Sequence, residues 1–268
     1  MLSREMSVSN MFYSSDKYYL EKKFRDFFSN IKSVLIPRKI KALVCPHAGY
    51  VYSGQVASHS YKLLEKELEQ IPKTIVLLCP SHYVNFKGVS VGLYDKLKTP
   101  FGDLEVDKIL GENLLGNYPT YFTLNYKASN GEHSMEVQLP FLKYIIKDKK
   151  IKILPLVFGE IDSIKIGEIL DNVFKKYPML FIVSSDLNHY FSYDDAIKCD
   201  KKSISAVLSE NTDKIIANVE ACGVGPWLAL NQIASRNKWK RKLLKYQNSG
   251  DTAGGKDEVV GYASLAYF

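Results

Sequence analysis

Cysteine is scarce in this chain, with four among 268 residues, and Cys45, Cys79, Cys199 and Cys222 include no close pair. That spacing excludes a CxxC redox motif and a compact zinc knuckle. In a reducing compartment Cys45, Cys79 and Cys199 read as small buried apolar residues. Long apolar runs are missing as well. None approaches the roughly 20 residues that span a bilayer, so no membrane partner is expected. No apolar segment follows the single basic residue of Met1-Leu2-Ser3-Arg4-Glu5, so no secretory signal is read and a cytoplasmic location is the expectation. Repeats, low-complexity segments and internal linkers are absent too, which leaves one domain over residues 1–268 as the simplest organisation. Apolar content of 46% and charged content of 24% are ordinary for a soluble globular chain.

Acidic residues are in deficit, 29 against 36 basic ones, for a net charge of +7. Basic residues cluster in Arg236–Lys245 and Lys147–Lys150. Such clusters hold nucleic acid in some proteins. Here lysines are spread over the whole chain and no nucleic-acid module accompanies them. They read as solvated surface, and nucleic acid is not expected as a partner.

Against these absences stands a recurrent pattern. Ile40–Cys45 is a short apolar run closed by Pro46, followed by His47-Ala48-Gly49-Tyr50 and a helical spacing through Ala57, Tyr61, Leu64 and Leu68. It reads as a buried strand, a loop and a helix, with Gly49 and Gly54 permitting tight turns. Thr74–Cys79 repeats the arrangement and leads through Pro80-Ser81 to His82. Met179–Val183 does so a third time and leads through Ser184-Ser185-Asp186-Leu187-Asn188 to His189. One loop histidine alone is satisfied by a backbone carbonyl as readily as by a ligand. Three at strand ends share one rim, because parallel strands present their carboxyl ends on one side. A common site is expected there.

Further along, residues 1–30 read as a short leader and an amphipathic helix capping the sheet, with Tyr19, Leu20, Phe24, Phe27 and Phe28 on its apolar face. His133 falls near the start of a helix marked by Met135, Leu139, Leu142 and Ile146. Ser134 is a candidate cap, and Pro140 predicts a kink or a late start. Val89–Leu93, Lys152–Phe158, Leu243–Gln247 and Gly261–Phe268 read as strands. Ile166–Tyr177, Ala196–Leu208 and Lys214–Val219 read as helices. The alternation predicts an α/β fold: a single three-layer domain with a mainly parallel or mixed central sheet. Cys222-Gly223-Val224-Gly225-Pro226 opens another helix, since Pro226 suits a first turn. A helix dipole there favours the thiolate, the form that binds metal.

These residues resemble the MEMO family, whose bacterial and archaeal members are called AmmeMemoRadiSam system protein B. The resemblance is carried by Pro46–Tyr50 with Tyr52-Ser53-Gly54, Pro80-Ser81-His82, Thr99-Pro100-Phe101-Gly102 and Glu132–Leu142. It continues through Ser184–Tyr190 and Cys222–Pro226 to Gly261-Tyr262-Ala263-Ser264, nearly the whole chain in order. The family is similar in structure to class III extradiol dioxygenases, so the resemblance implies that extradiol-dioxygenase architecture. It implies metal roles for His47, His82 and Cys222, an acid/base role for His189, and Asp186 and His133 in the same pocket. The implied cofactor is a divalent metal, iron(II), with zinc or copper as alternatives because a thiolate replaces the dioxygenase carboxylate. The implied partners are a small-molecule or peptide ligand in the metal pocket and a radical-SAM pathway protein. The opening segment Met11–Asp16 matches the family's Gly-aromatic-Tyr-Pro signature only loosely.

Three functions compete. The first is a metal-dependent oxidoreductase resembling non-haem iron dioxygenases, with His189 shuttling a proton. The second is a binding or signalling module that uses the same pocket, lined by Tyr50, Tyr52, Tyr83 and Tyr190. The third is a hydrolase built on Ser185, Asp186 and His189, against which stand the local spacing and the absence of a G-x-S-x-G elbow. Zinc hydrolysis through the same histidines is a variant of the third.

Overall fold

The computed structural model describes residues 2–32 and 36–268. Among them, nine strands form the main sheet. The order is His189–Phe191, Val259–Tyr267, Ala42–Cys45, Leu180–Ser184, Thr74–Pro80, Lys152–Phe158, Val89–Val91 and Phe122–Thr123, with Arg241–Asn248 also paired to Val259–Tyr267. The four central strands run parallel, and an antiparallel neighbour flanks them on each side. The sheet is therefore mixed, with a parallel centre. Continuous apolar runs make that centre: every residue of Thr74–Pro80 is buried, as a strand covered on both faces requires.

Helices supply the two covers. Ser60 Oγ donates to the Val44 carbonyl and Ser264 Oγ to the Val56 carbonyl, which lays the helix Tyr50–Glu67 on one face. Trp227 Nε1 donates to Tyr267 Oη at 2.9 Å, which lays Val224–Arg236 on the other. Residues 264 and 267 are an odd number apart on one strand and so point to opposite faces. The helix Ser163–Phe174 packs beside Val224–Arg236 so closely that a Cβ on Gly167 would lie 2.5 Å from the Ala229 carbonyl oxygen.

The amphipathic helix near the start is Lys17–Ser29, burying Leu20, Phe24, Phe27 and Phe28. Tyr19 departs from expectation: it is 58% exposed, because the i, i+4, i+7, i+8 stripe begins at Leu20 and leaves Tyr19 at its margin. Phe24 stacks on Phe141 at 4.2 Å, and Phe141 on Tyr61 at 4.6 Å. This helix thus covers the neighbouring helices Gln138–Ile146 and Tyr50–Glu67 where the sequence suggested a cap on the sheet.

The expected leader is also corrected. Ser3–Arg4 is a strand, paired with Lys96–Leu97, which pairs in turn with Leu104–Glu105. Arg4 is fully buried and ion-paired with buried Glu136. Glu136 further accepts from Ser7 N at 2.8 Å, Val8 N at 3.0 Å and Tyr13 Oη at 2.7 Å. One carboxylate therefore fastens residues 4–13 to the fold. A charged residue near a terminus reads as solvated, and its partner lies 132 positions away, so local pattern does not reveal it.

The helix after His133 comes in two pieces, His133–Glu136 and Gln138–Ile146, with Pro140 in the first turn of the second. That is the late start, at a position a proline tolerates. The cap is Glu132 and not Ser134. The Glu132 carboxylate accepts from Ser134 N at 3.0 Å, while Ser134 Oγ donates to the Pro80 carbonyl. The carboxyl ends of three central strands then deliver His47, His82 and the Ser184–Asp186 turn to one rim.

Candidate metal centre

His47 leaves the strand Ala42–Cys45 just before the helix Tyr50–Glu67 and is 1% exposed. Its ring is fixed by a chain of hydrogen bonds. Gln138 Nε2 donates to the Pro46 carbonyl at 3.0 Å and to Ser184 Oγ at 2.8 Å, while its Oε1 accepts from Tyr61 Oη. The single hydroxyl hydrogen of Ser184 goes to the Ser134 carbonyl at 2.6 Å. Ser184 Oγ is therefore an acceptor toward His47 Nδ1, 2.9 Å away. Nδ1 carries the hydrogen, and Nε2 keeps a bare lone pair. Burial, with His82 adding to it, holds this ring well below the usual histidine range and thus neutral.

His82 is locked by a different partner to the same end. Glu132 accepts from His82 Nδ1 at 2.8 Å through Oε1 and from His82 N at 2.7 Å through Oε2. Burial opposes ionisation of Glu132, but the bonds from the His82 ring and amide and from Ser134 outweigh it. They hold the carboxyl down to about 2. An ionised Glu132 only accepts, so His82 Nδ1 donates and Nε2 is again free. This carboxylate-to-histidine arrangement is the one that orients metal-ligating imidazoles.

Cys222 precedes the helix Val224–Arg236, with Gly223 as its N-cap. Its Sγ accepts from Asp186 N at 3.3 Å and lies 3.3 Å from His47 Nε2. The thiolate expected from the helix dipole is overridden. Burial, reinforced by the Asp186 charge, pushes this thiol well above its usual range, because a desolvated anion costs more than one helix end returns. Gly223 fits where no side chain would: a Cβ there would lie 2.6 Å from Ser185 Cβ and 2.8 Å from the Ser184 carbonyl oxygen.

The donor atoms of His47, His82 and Cys222 all lie within 4.8 Å of one another. Bonds of about 2.0–2.3 Å around one ion require ligand spacings of about 3.1–3.6 Å, so the set fits a metal with little movement. Two bare imidazole nitrogens and one thiol are a donor set for iron, zinc or copper. A second group, His82, Glu132 and His133, is equally compact. Glu132 is already committed in it to the His82 ring and backbone, so the first group is the better cage.

Two clefts flank these donors. One, of about 670 Å³, is lined by His82, Tyr83, Cys222 and Pro226 among others. The other, of about 480 Å³, is lined by Met11, Phe12, Tyr52, His133, Asp186, His189 and Tyr190 among others. The His133 ring lies 4.4 Å from His82 and 5.2 Å from His47, makes a tilted contact with Phe12 at 4.9 Å, and meets Tyr83 Oη through Nδ1 at 2.9 Å. Burial together with His47 and His82 holds it down to about 3. Asp186 Oδ1 accepts from His47 N at 2.7 Å. Burial pushes its carboxyl up to about 6, against the pull of the His47 and Ala48 amides and of His189. His189 opens the short edge strand His189–Phe191, followed by Tyr190 at φ 64°.

The structure thus gathers His47, His82, Cys222 and His133 in one cluster and sets Asp186 and His189 along the adjoining cleft. Of the four tyrosines, Tyr52, Tyr83 and Tyr190 line the clefts. Tyr50 is core, 4% exposed, with its hydroxyl on the Val137 carbonyl. Ser185 is no nucleophile: its Oγ donates to the Asp186 carbonyl at 2.9 Å and accepts from Gly223 N. Sequence reasoning missed Glu132, Ser184 and Gln138 as supporting residues. Only the adjacency of Glu132 to His133 could have flagged one of them.

Fold and rim together define an α/β protein with candidate metal donors from the carboxyl ends of two parallel strands and from the loop before the helix Val224–Arg236. Residues 4–266 match the Memo-like protein family, and the chain belongs to it. It is 36% identical to a MEMO1 family protein of Methanosarcina barkeri over 98% of both chains. It is 37% identical to one of Aquifex aeolicus over the full length of both. In fold it is similar to a crystal structure of an uncharacterized protein from Escherichia coli K12, with TM-score 0.53 and 14% identity. That likeness covers 85% of this chain and 99% of the other.

Proposed function

We propose that this protein holds a divalent iron on His47, His82 and Cys222 and uses it as an oxidoreductase on a small substrate in the adjoining cleft. The observation that carries the proposal is the locking of both imidazoles. Hydrogen bonds through Ser184 and through Glu132 commit each Nδ1 and leave each Nε2 with a bare lone pair, and ligand atoms of the two rings and Cys222 lie within 4.8 Å of one another. A bound iron would supply one-electron redox chemistry. The chain's own residues do the rest. His133 and Asp186 hold polar groups of a substrate lying in the cleft that they line with His189. His189 accepts or returns a proton at its imidazole, and Met11, Phe12 and Tyr52 narrow the access of water to the same space.

The test is oxygen uptake by anaerobically iron-loaded protein across a panel of small aromatic and thiol reductants. His189→Gln is expected to keep its iron and slow turnover about 100-fold or more, the usual reach of acid–base catalysis. Bound iron with no turnover on any reductant would move the reading to a binding module that uses the same pocket.

A further inference from the structure

We propose a second small-molecule site at the opposite end of the sheet, for a small aromatic anion. The amino ends of three parallel strands, Thr74–Pro80, Lys152–Phe158 and Leu180–Ser184, border a cavity of about 520 Å³. That volume is in the range of sites for drug-sized ligands. Strands of this length put it about 20 Å from the metal donors.

Two features specify the occupant. The floor and walls are apolar: Leu110 and Met179 are buried there, while Tyr177 is 49% and Ile109 76% exposed. Large apolar side chains left open around a concavity mark a place for a ligand. The rim is basic. Lys73, Lys150 and Lys152 line the cavity, and none makes an ion pair or side-chain hydrogen bond among the described residues. Asp107 is the acid in the lining, and it is already engaged, accepting from Thr74 Oγ1 and from Leu110 N. Three free ammoniums around an apolar hollow, with the one carboxylate occupied, complement a ring bearing a carboxylate, sulfonate or phosphate. The ring would lie against Tyr177 and Met179, with the charge at the lysines.

The probe is 8-anilino-1-naphthalenesulfonate, titrated by fluorescence and calorimetry into the full-length, metal-loaded protein. Its uncharged analogue, N-phenyl-1-naphthylamine, is run in parallel. Saturable one-to-one binding of the anion is expected, weakened at least tenfold by K73E/K150E/K152E, in which Lys73 and Lys150 are exposed and Lys152 is half-buried at the start of its strand. Metal content of that variant is expected to match the parent. Met179→Ala is expected to weaken both probes. Absence of saturable binding, equal affinity for the uncharged analogue, or affinity unmoved by the lysine reversals would each overturn the proposal.

Discussion

At the scale of single residues, the candidate site depends on groups that would not touch a metal. Glu132 holds His82 through both carboxylate oxygens. Glu132→Gln keeps the shape but removes the charge, and is expected to lower metal affinity about 10–100-fold. Competition with a calibrated chelator would measure this, and unchanged affinity would remove Glu132 from the account. Gly223→Ala acts by crowding. The new methyl would meet Ser185 and the Ser184 carbonyl, so a loss of about 1–3 kcal/mol in urea unfolding is expected, together with lower metal occupancy from a displaced Cys222. The placing of His47 and His82 on one rim was legible in the sequence because histidines after strand ends share it, whereas Cys222, ahead of the helix Val224–Arg236, was singled out as a ligand only by the family resemblance. Their supports were not, since Ser184, Gln138 and Glu132 act through contacts 46 to 137 positions apart.

At the scale of elements, the opening segment is held by the buried pair Arg4–Glu136. Glu136→Gln leaves Arg4 charged and unmatched in the interior, and a destabilisation of about 3–5 kcal/mol is expected by chemical denaturation. Because Glu136 also fastens Val8 and Tyr13, hydrogen exchange over residues 7–13 is expected to rise more than the global change explains. Uniform exchange would contradict the fastening role. On the helix Tyr50–Glu67, His59 has a buried Nδ1 with no hydrogen-bond partner among the described residues. Burial, then Lys245, holds its ring down to about 4. The unfolded chain then takes up this proton first as pH falls. Stability present above about 6.5 is lost between there and about 4. His59→Gln is expected to lose less stability than the parent between pH 7 and pH 4.5, read from urea midpoints, and an equal loss would refute that origin. The long buried strands were readable because apolar runs declare themselves. The pairing of Ser3–Arg4 was not, because a two-residue strand has no periodicity to read.

At the scale of the whole molecule, a parallel centre with antiparallel flanks separates two working ends. The carboxyl ends of the strands gather the candidate metal donors between two clefts, and the amino ends border the lysine-rimmed cavity. The alternation of strands and helices made this architecture legible. The flanking antiparallel pairs were left open by it, since strand direction at an edge is decided by contacts far along the chain. No helix among the described residues is long and apolar enough to cross a membrane. The central claim is that His47, His82 and Cys222 bind one metal together, and elemental analysis of anaerobically purified protein tests it most directly. The account predicts close to one iron per chain in the parent. It predicts loss of that iron in each of His47→Ala, His82→Ala and Cys222→Ala, with circular dichroism showing all three folded. A parent without metal, or a folded variant that keeps its full complement, would contradict it.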